Sequence, residues 1–264
     1  MNKPIGIFDS GVGGLTVAKE ILKILPNESF IYCADTKNIP YGEHSAREVE
    51  GFALRIISFL IEKGIKLLAI ACNYSSAVVL EKARRIYPSL PILGVLQAGA
   101  RLAVSQPFER IGILATRGTV KTRMFPREIK KLNPQKKVFQ ASCPPLVSLI
   151  ESFAPEEEIR SVVRDCLKKL KRKGIEALVL GCTHYPLVKG IIEEEMGEVK
   201  ILDPAEELAR EVKRVLEREN LLSDDSPRHR FFVSGDDSSL RKFVPSLLGI
   251  DIIEIEHQEF EGGF

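Results

Sequence analysis

Two stretches of this chain share one pattern, and that pattern constrains the fold more than any other feature of the sequence. Lys63–Cys72 (KGIKLLAIAC) and Lys173–Cys182 (KGIEALVLGC) each run from a lysine and a glycine through apolar residues to a cysteine. Positions 72 and 182 are offset by 110, and at that offset five of the ten aligned pairs are identical. A short apolar run of this kind is typical of a buried strand. We therefore expect two copies of one buried strand, each ending in a thiol.

A second repeat supports the first. Ile111–Thr116 (IGILAT) matches Ile5–Ser10 (IGIFDS) at an offset of 106, so the two repeats differ only by a small insertion. Amphipathic stretches such as 48–63, which ends at Gly64, alternate with the apolar runs, and this alternation favours parallel sheets covered by helices. We predict an α/β fold of two pseudo-symmetric lobes, each a mainly parallel sheet flanked by helices, with the active site in the cleft between them.

The length of 264 residues is sufficient for two such lobes. We expect residues 1–96 together with 208–264 to form the first lobe, and residues 97–207 the second. The closing segments Phe231–Gly235 and Ile250–Ile255 are predicted strands of the first lobe.

Composition and charge narrow the class of protein. The net charge of +2 offers no electrostatic argument for nucleic acid or membrane binding. The basic run Lys168–Lys173 (KKLKRK) is interpreted as the solvated end of a helix, where cations suit the helix dipole. No segment approaches the roughly 18 consecutive apolar residues of a membrane span, and the first residues lack the apolar region of a signal peptide. A cytoplasmic location is expected.

The five cysteines are odd in number and widely spaced. In a reducing compartment this pattern favours free thiols over a disulfide framework. Cys33 and Cys166 are interpreted as core residues, Cys166 because it lies on the inward stripe of a helix.

Two thiols carry the functional prediction. Asp9, Cys72, Thr116 and Cys182 all fall at the carboxyl ends of predicted strands, where ligands of parallel α/β sheets collect. If the lobes face each other, Cys72 and Cys182 meet across one cleft. Each also precedes a predicted helix, whose dipole can lower a thiol pKa, so each is a plausible base.

Bases on opposite sides of a cleft suit removal of a proton from one face of a carbon and its return to the other face, which is racemisation or epimerisation. One thiol has to be a thiolate and the other protonated, and the roles reverse with the handedness of the substrate. Two other readings stay open: a non-catalytic two-lobe binder of an amino acid or dicarboxylate, and a redox dithiol, which requires the two sulfurs to approach bonding distance.

Other ligands have weaker support. Cys72, Cys182 and His184 could bind zinc, but no Cys-x-x-Cys or His-x-x-x-His spacing supports a metal site, and no metal is expected. The loop after Asp9 lacks the third glycine of a dinucleotide fingerprint. Asp9 itself has the alternative role of capping the helix that follows it.

Four motifs together resemble a known family. Asp9–Gly11 (DSG), Pro40–Gly42 (PYG), Ala71–Asn73 (ACN) and Gly181–Leu187 (GCTHYPL) are similar to motifs of the glutamate racemases, in the cofactor-independent aspartate/glutamate racemase superfamily. The resemblance spans almost the whole chain. It implies a two-lobed enzyme that interconverts L- and D-glutamate without a cofactor, supplies D-glutamate for peptidoglycan, and commonly forms homodimers.

The same resemblance assigns roles to residues. It implies that Cys72 takes the α-proton from D-glutamate and Cys182 from L-glutamate, while Asp9 and His184 help the thiols exchange protons. Glu151, in the segment LIES, aligns with an auxiliary acidic residue. The residues implied to hold the substrate are Asp9, Ser10, Tyr41, Gly42, Asn73, Tyr74, Thr116, Thr183 and His184.

One departure from the family pattern bears on specificity. The threonine that usually follows Cys-Asn is replaced by Tyr74, which keeps a hydroxyl but adds a ring where a substrate carboxylate is expected. Either Ser75 or Ser76 then substitutes as donor, or the size and preference of the pocket differ. Racemisation of another amino acid, such as aspartate, therefore stays open as an alternative.

Overall fold

The computed structural model describes residues 3–251 and 254–261. Its strands, in chain order, are β1 (Ile5–Asp9), β2 (Phe30–Ala34), β3 (Leu67–Ile70), β4 (Ile92–Gly94), β5 (Arg110–Ala115), β6 (Lys137–Ser142), β7 (Ala177–Gly181), β8 (Lys200–Leu202), β9 (Arg230–Val233) and β10 (Glu256–His257). The α-helices are α1 (Leu15–Ile24), α2 (Ala46–Glu62), α3 (Asn73–Ile86), α4 (Val95–Ser105), α5 (Arg117–Thr122), α6 (Met124–Leu132), α7 (Pro145–Glu151), α8 (Glu156–Arg172), α9 (Lys189–Met196), α10 (Pro204–Arg218) and α11 (Ser238–Leu248).

These strands form two sheets whose strand order repeats. The first sheet has the order β10-β9-β2-β1-β3-β4 and the second the order β6-β5-β7-β8. All neighbouring strands are parallel. The two sequence repeats correspond to β1 with β5 and to β3 with β7, which occupy equivalent places in their sheets. The predicted α/β fold of two parallel sheets flanked by helices is confirmed.

The strands are buried because helices cover both faces of each sheet. All residues of β1, β2, β3 and β7 are buried, which explains why these strands read as continuous apolar runs rather than as alternating ones. One core of the first lobe includes apolar residues of α1 and α10, and a second core includes those of α2 and α3.

Helix α2 shows how local sequence sets the ends of an element. Ser45 and Glu48 form a capping box, in which each side chain accepts the other's backbone N–H, and this satisfies donors that the first turn leaves unpaired. The helix is followed by Gly64 with a φ of +77°, a conformation that favours glycine. The chain then enters β3, which ends beside Cys72.

The closing segment returns to the first lobe. Strand β9 pairs with β2, and β10 pairs with β9. Of the predicted strand Ile250–Ile255, positions 252 and 253 lie outside the described residues, and the strand described in this region is β10. Helix α4 contacts both α10 and α6, so it lies between the lobes. The predicted lobe limits at positions 96 and 207 stay a prediction.

The prediction of free thiols is wrong for two of the five cysteines. Cys143 and Cys166 form a disulfide with a Cα–Cα distance of 5.4 Å, while Cys33, Cys72 and Cys182 are free. Cys143 follows β6 and Cys166 lies on α8, so the pair joins a strand end to the helix that covers it. Their spacing of 23 residues does not reveal this contact, because it depends on how two layers pack.

Among the described residues, no helix is both long and apolar enough to cross a membrane.

Candidate active site

The carboxyl ends of the strands of both lobes border one cleft. The cleft is narrow, with a cavity volume of about 30 Å³. Both Cys72 and Cys182 line it, and each is only 6% exposed. The structure thus brings together two thiols that the sequence placed 110 positions apart. The other predicted site residues that line this cleft are Ser10, Tyr41, Gly42, Asn73, Tyr74, Thr116, Thr183 and His184.

Cys72 caps the first turn of α3. Its sulfur accepts the backbone N–H of Ser75 at 3.4 Å, the helix-terminus contact that the sequence predicts. The predicted lowering of its pKa is nevertheless wrong. Burial, with the nearby Asp9 carboxyl, outweighs the hydrogen bonds from Ser75 and raises the pKa of Cys72 to about 12, since a buried thiolate loses its hydration. Without a ligand, Cys72 is therefore a neutral thiol near pH 7.

Cys182 has a different environment. Its sulfur lies 3.9 Å from Nδ1 of His184, and Nε2 of His184 lies 2.6 Å from Oε1 of Glu151. Burial alone lowers the pKa of His184, but its contacts with Cys182 and Glu151 oppose this and raise the pKa well above the ordinary value. The result is a buried row of carboxylate, imidazolium and sulfur, which places a positive charge beside Cys182.

Glu151 acts from behind the cleft. It lies at the end of α7 and does not line the cavity, yet it reaches His184 with a short contact. His184 is followed by a 3₁₀ turn, Tyr185–Val188, and not directly by an α-helix. The predicted helix at this point therefore starts later, at Lys189.

Asp9 connects the two lobes. Its side chain is fully buried, accepts the N–H of Gly11 at 2.9 Å, and accepts the hydroxyl of Thr183 at 3.0 Å. Burial raises the pKa of Asp9, against the opposing effects of His184 and of these hydrogen bonds. The alternative role as a helix cap is wrong, because α1 begins after Gly14 without a side-chain cap.

Asn73 has the clearest unfilled hydrogen-bonding capacity in the cleft. Its side chain is buried, and neither the amide nitrogen nor the amide oxygen has a hydrogen-bond partner among the described residues. A buried polar group without a partner costs about 1–3 kcal/mol. The amide is thus prepared to bind a ligand that offers both a donor and an acceptor.

Gly42 and Thr116 meet across the two lobes. A Cβ on Gly42 would lie 2.9 Å from the Cβ of Thr116, so a larger residue at position 42 would push the lobes apart. Thr116 also caps α5, where its hydroxyl oxygen accepts the N–H of Thr119 at 3.4 Å.

Tyr74 does not direct its hydroxyl at the cleft. The hydroxyl donates to the backbone carbonyl of His44 at 3.1 Å. The ring instead packs across the lobes on Gly118, where a Cβ would lie 2.3 Å from Cε1 of Tyr74. Of the two serines considered as replacements, Ser76 donates to the carbonyl of Ile70, and neither serine lines the cleft.

Sequence reasoning missed four polar residues of the site, one of which, Glu43, lines the cleft. Thr119 and Arg117 also line the cleft, and Arg117 pairs with Glu43 at 3.2 Å across its mouth. Asp35 accepts the hydroxyl of Tyr41. Asp35 directly follows β2 and Arg117 lies two positions after β5, so the strand ends could have indicated both. Nothing in the local sequence distinguishes Thr119 or Glu43.

Metal binding has no geometric support in the described ranges. No three His, Cys, Asp or Glu side chains within residues 3–251 and 254–261 are grouped so that they could hold a metal ion.

Comparison with known proteins gives a consistent result. The family model for Asp/Glu/hydantoin racemases matches residues 5–212. "Glutamate racemase 2" of Caldanaerobacter subterraneus subsp. tengcongensis is 42% identical over 258 residues, covering 96% of each chain. Among solved structures, glutamate racemase RacE1 of Bacillus anthracis aligns with a TM-score of 0.91 at 36% identity over 97% of each chain. The glutamate racemase of Francisella tularensis, in complex with D-glutamate, aligns with a TM-score of 0.92 at 34% identity over 98% of each chain.

Proposed function

The chain belongs to the Asp/Glu/hydantoin racemase family and is an amino-acid racemase, and on that premise we propose that it interconverts L- and D-glutamate with Cys72 and Cys182 as the two acid/base groups. The observation that carries this proposal is the pair of free thiols at equivalent strand ends of the two lobes, both lining one cleft. The similarity to glutamate racemases, one of them in complex with D-glutamate, supports glutamate as the substrate.

In the proposed reaction, one thiol removes the α-proton of the substrate and the other thiol gives a proton to the α-carbon. With L-glutamate, the Cys182 thiolate takes the α-proton and becomes a thiol, while the Cys72 thiol gives its proton to the opposite face of the α-carbon and becomes a thiolate. With D-glutamate the two roles are exchanged. The buried His184 cation lies beside the sulfur that is proposed to take the proton, and the raised pKa of Cys72 supports its role as the thiol that gives one.

After a turnover from L- to D-glutamate, Cys182 is a thiol and Cys72 is a thiolate, which is the reverse of the starting arrangement. We propose that His184 and Glu151 serve proton exchange at Cys182, and that Asp9 serves it at Cys72. The contacts His184–Glu151 and Asp9–Thr183 hold these groups in fixed positions. A fixed geometry matters because proton transfer requires hydrogen-bond reach between the exchanging atoms.

Binding of the substrate is proposed for the polar residues around the thiols. The unpartnered amide of Asn73 fits a group that is both acceptor and donor, such as the α-carboxylate with its neighbouring ammonium. Ser10, Thr116 and Thr183 add hydroxyls, and Tyr41 and Gly42 border the same space. The Tyr74 ring is proposed to limit the size of the pocket rather than to bind a carboxylate.

The proposal is tested with purified protein and no added cofactor. Circular dichroism should show each glutamate enantiomer converting to the racemate, whereas aspartate and other amino acids should react slowly or not at all. Cys72→Ala and Cys182→Ala should each lower turnover by at least the roughly 10²- to 10⁴-fold that one acid/base group contributes. Full turnover by either variant contradicts the two-thiol mechanism.

A matched control uses the third free thiol. Cys33 is buried in β2 and does not line the cleft, so Cys33→Ala should keep full activity. In deuterated water, early product should carry α-deuterium while the remaining substrate stays protonated. Early label in both enantiomers would instead favour a single base.

The biological role follows from the product. We propose a cytoplasmic enzyme, active as a homodimer, whose D-glutamate enters peptidoglycan. Rescue of a bacterial strain that requires external D-glutamate tests the role, and light scattering of the purified protein tests the dimer.

A further inference from the structure

A groove runs along the outer edge of the second sheet and shares no lining residue with the cleft between the lobes. Its floor includes Val138, Phe139 and Gln140 of β6, and its walls are the α5–α6 segment on one side and the end of α8 on the other. The volume is about 830 Å³, within the range of about 300–1,000 Å³ that is usual for ligand sites. The groove can therefore hold several residues of another chain.

Cationic side chains dominate this groove. Its lining has no acidic residue. Its six cations, all exposed, are Lys121, Arg123, Lys130, Lys169, Arg172 and Lys173. Within the described ranges none of the six forms an ion pair. Two other lysines of α8 do: Lys168 pairs with Asp165 at 2.6 Å, and Lys171 pairs with Glu195 of α9 at 3.7 Å. The run KKLKRK is thus divided between a neutralised face and an unneutralised one.

This concentration of charge is local, because the whole chain has a net charge of only +2. Like charges held close together repel one another and favour anions nearby. An occupant of the groove should therefore be negatively charged.

The backbone of β6 adds a second, independent feature. This strand is at the end of its sheet and pairs only with β5 among the described residues. The N–H of Lys137 donates to Glu109 and that of Cys143 to Ala115, so odd-numbered residues face β5. Because backbone direction alternates along a strand, Val138, Gln140 and Ser142 turn their N–H and C=O groups outward.

An exposed strand edge accepts another strand through backbone hydrogen bonds. The side-chain oxygen of Gln140 is also buried without a hydrogen-bond partner among the described residues. The floor of the groove therefore offers donors and acceptors for a peptide backbone, which a simple patch of surface lysines does not.

We propose that this groove binds an acidic, extended peptide segment of a partner protein, which pairs with the free edge of β6 and places its carboxylates against the six cations. Three of the cations come from the α5–α6 side and three from the α8 side. Successive side chains of a strand point to opposite sides, so the segment carries consecutive acidic residues rather than every second one.

A second copy of this chain is a poor occupant. Pairing of two β6 edges would bring two sets of six cations together, and like charges across an edge are a device that prevents such pairing. Charge complementarity thus selects a different, acidic partner.

The test measures fluorescence polarisation of a labelled peptide of about six residues, the usual length of a strand, with consecutive Glu and Asp. The full chain should bind it saturably, and binding should weaken as salt rises. The triple variant Lys169→Ala/Arg172→Ala/Lys173→Ala should bind about tenfold more weakly, since exposed charge pairs contribute modestly each. The variant Lys168→Ala/Lys171→Ala, on the neutralised face of the same helix, should bind like the original chain.

Backbone pairing has its own control. In two further versions of the peptide, every second backbone amide is N-methylated, so that the charge is kept and half of the hydrogen-bond donors are lost. The version that is methylated at the amides facing β6 should bind clearly more weakly than the other version. Absence of saturable binding, or equal loss in both lysine variants, overturns the proposal. Equal binding of methylated peptides together with tight binding of oligothymidylate would assign the groove to nucleic acid and overturn it as well. Unchanged thermal unfolding of the variants excludes misfolding as the cause.

Discussion

Replacing Glu151 by glutamine isolates the charge behind His184. The substitution keeps the size of the side chain and a hydrogen-bonding oxygen near Nε2, but removes the negative charge that now lies 2.6 Å from the imidazole. The side chain of His184 is only 3% exposed, so solvent cannot replace that charge. The effect of the substitution on Cys182 therefore passes through the protonation of one imidazole.

The magnitude follows from the balance of effects on His184. Burial lowers its pKa, and the contacts with Cys182 and Glu151 raise it. An opposite charge at close range shifts a pKa by about 1–3 units, and each unit corresponds to about 1.4 kcal/mol. Without the Glu151 charge, Cys182 alone of these two opposes the effect of burial, and the pKa of His184 falls. As the pH rises, His184 of the variant therefore loses its proton at a lower pH than His184 of the original chain does. The Cys182 thiolate then loses its neighbouring cation.

We expect Glu151→Gln to lower kcat/KM near pH 8 by about 10- to 100-fold, the usual effect of losing a group that orients and charges a reactive one. The loss should shrink as the pH is lowered, because the imidazole of the variant then regains its proton. Initial rates by circular dichroism across a range of pH measure it. Iodoacetamide labelling followed by mass spectrometry provides a readout that does not depend on turnover: Cys182 should react faster than Cys72, and the substitution should reduce that difference.

A matched control lies in the same lobe. Glu195 pairs with Arg164 at 2.9 Å and its side chain is 10% exposed, and it lies outside the cleft. Glu195→Gln should leave the pH profile and the labelling of Cys182 unchanged. If Glu151→Gln keeps the original pH profile and the original labelling rate of Cys182, the reasoning about the buried row is refuted.

Two further predictions concern packing. Gly118→Ala should destabilise the protein by about 1–3 kcal/mol because the new methyl group meets the Tyr74 ring. In a double-mutant cycle measured by urea unfolding, Tyr74→Thr should relieve most of this cost. Additive effects of the two substitutions would contradict the contact across the lobes. The denatured, unreduced protein should titrate as three thiols, because Cys143 and Cys166 are bonded. A count of five thiols would disprove the disulfide. Reduction of the disulfide should lower the free energy of unfolding by about 3 kcal/mol for a loop of this length.

The repeats made the fold predictable. The pairs β1 with β5 and β3 with β7 were visible because the same apolar patterns recur, and strand ends of parallel sheets meet at one edge. That rule alone was sufficient to bring Cys72 and Cys182 to one cleft. It required no knowledge of side-chain packing.

Features that depend on packing between layers or lobes were not predictable. The disulfide joins β6 to α8, and the Tyr74 ring packs against a glycine of the other lobe. The pKa of Cys72 was predicted with the wrong sign, because a helix terminus is visible in the sequence while the degree of burial is not. The described strand β10 lies directly after the apolar segment in which a strand was predicted.

The two thiols have unlike neighbours although the proposed reaction is symmetric, and thermodynamics permits this. L- and D-glutamate have equal free energies in water, so kcat/KM, which measures the transition state against free enzyme and substrate, must be equal in both directions. The surroundings of Cys72 and of Cys182 cannot change that ratio. They can change kcat/KM only by the same factor for both enantiomers, whereas kcat and KM taken separately can differ between L- and D-glutamate. A row of Glu151 and His184 on one side and Asp9 on the other is thus compatible with racemisation, provided that protons return to the resting arrangement between turnovers.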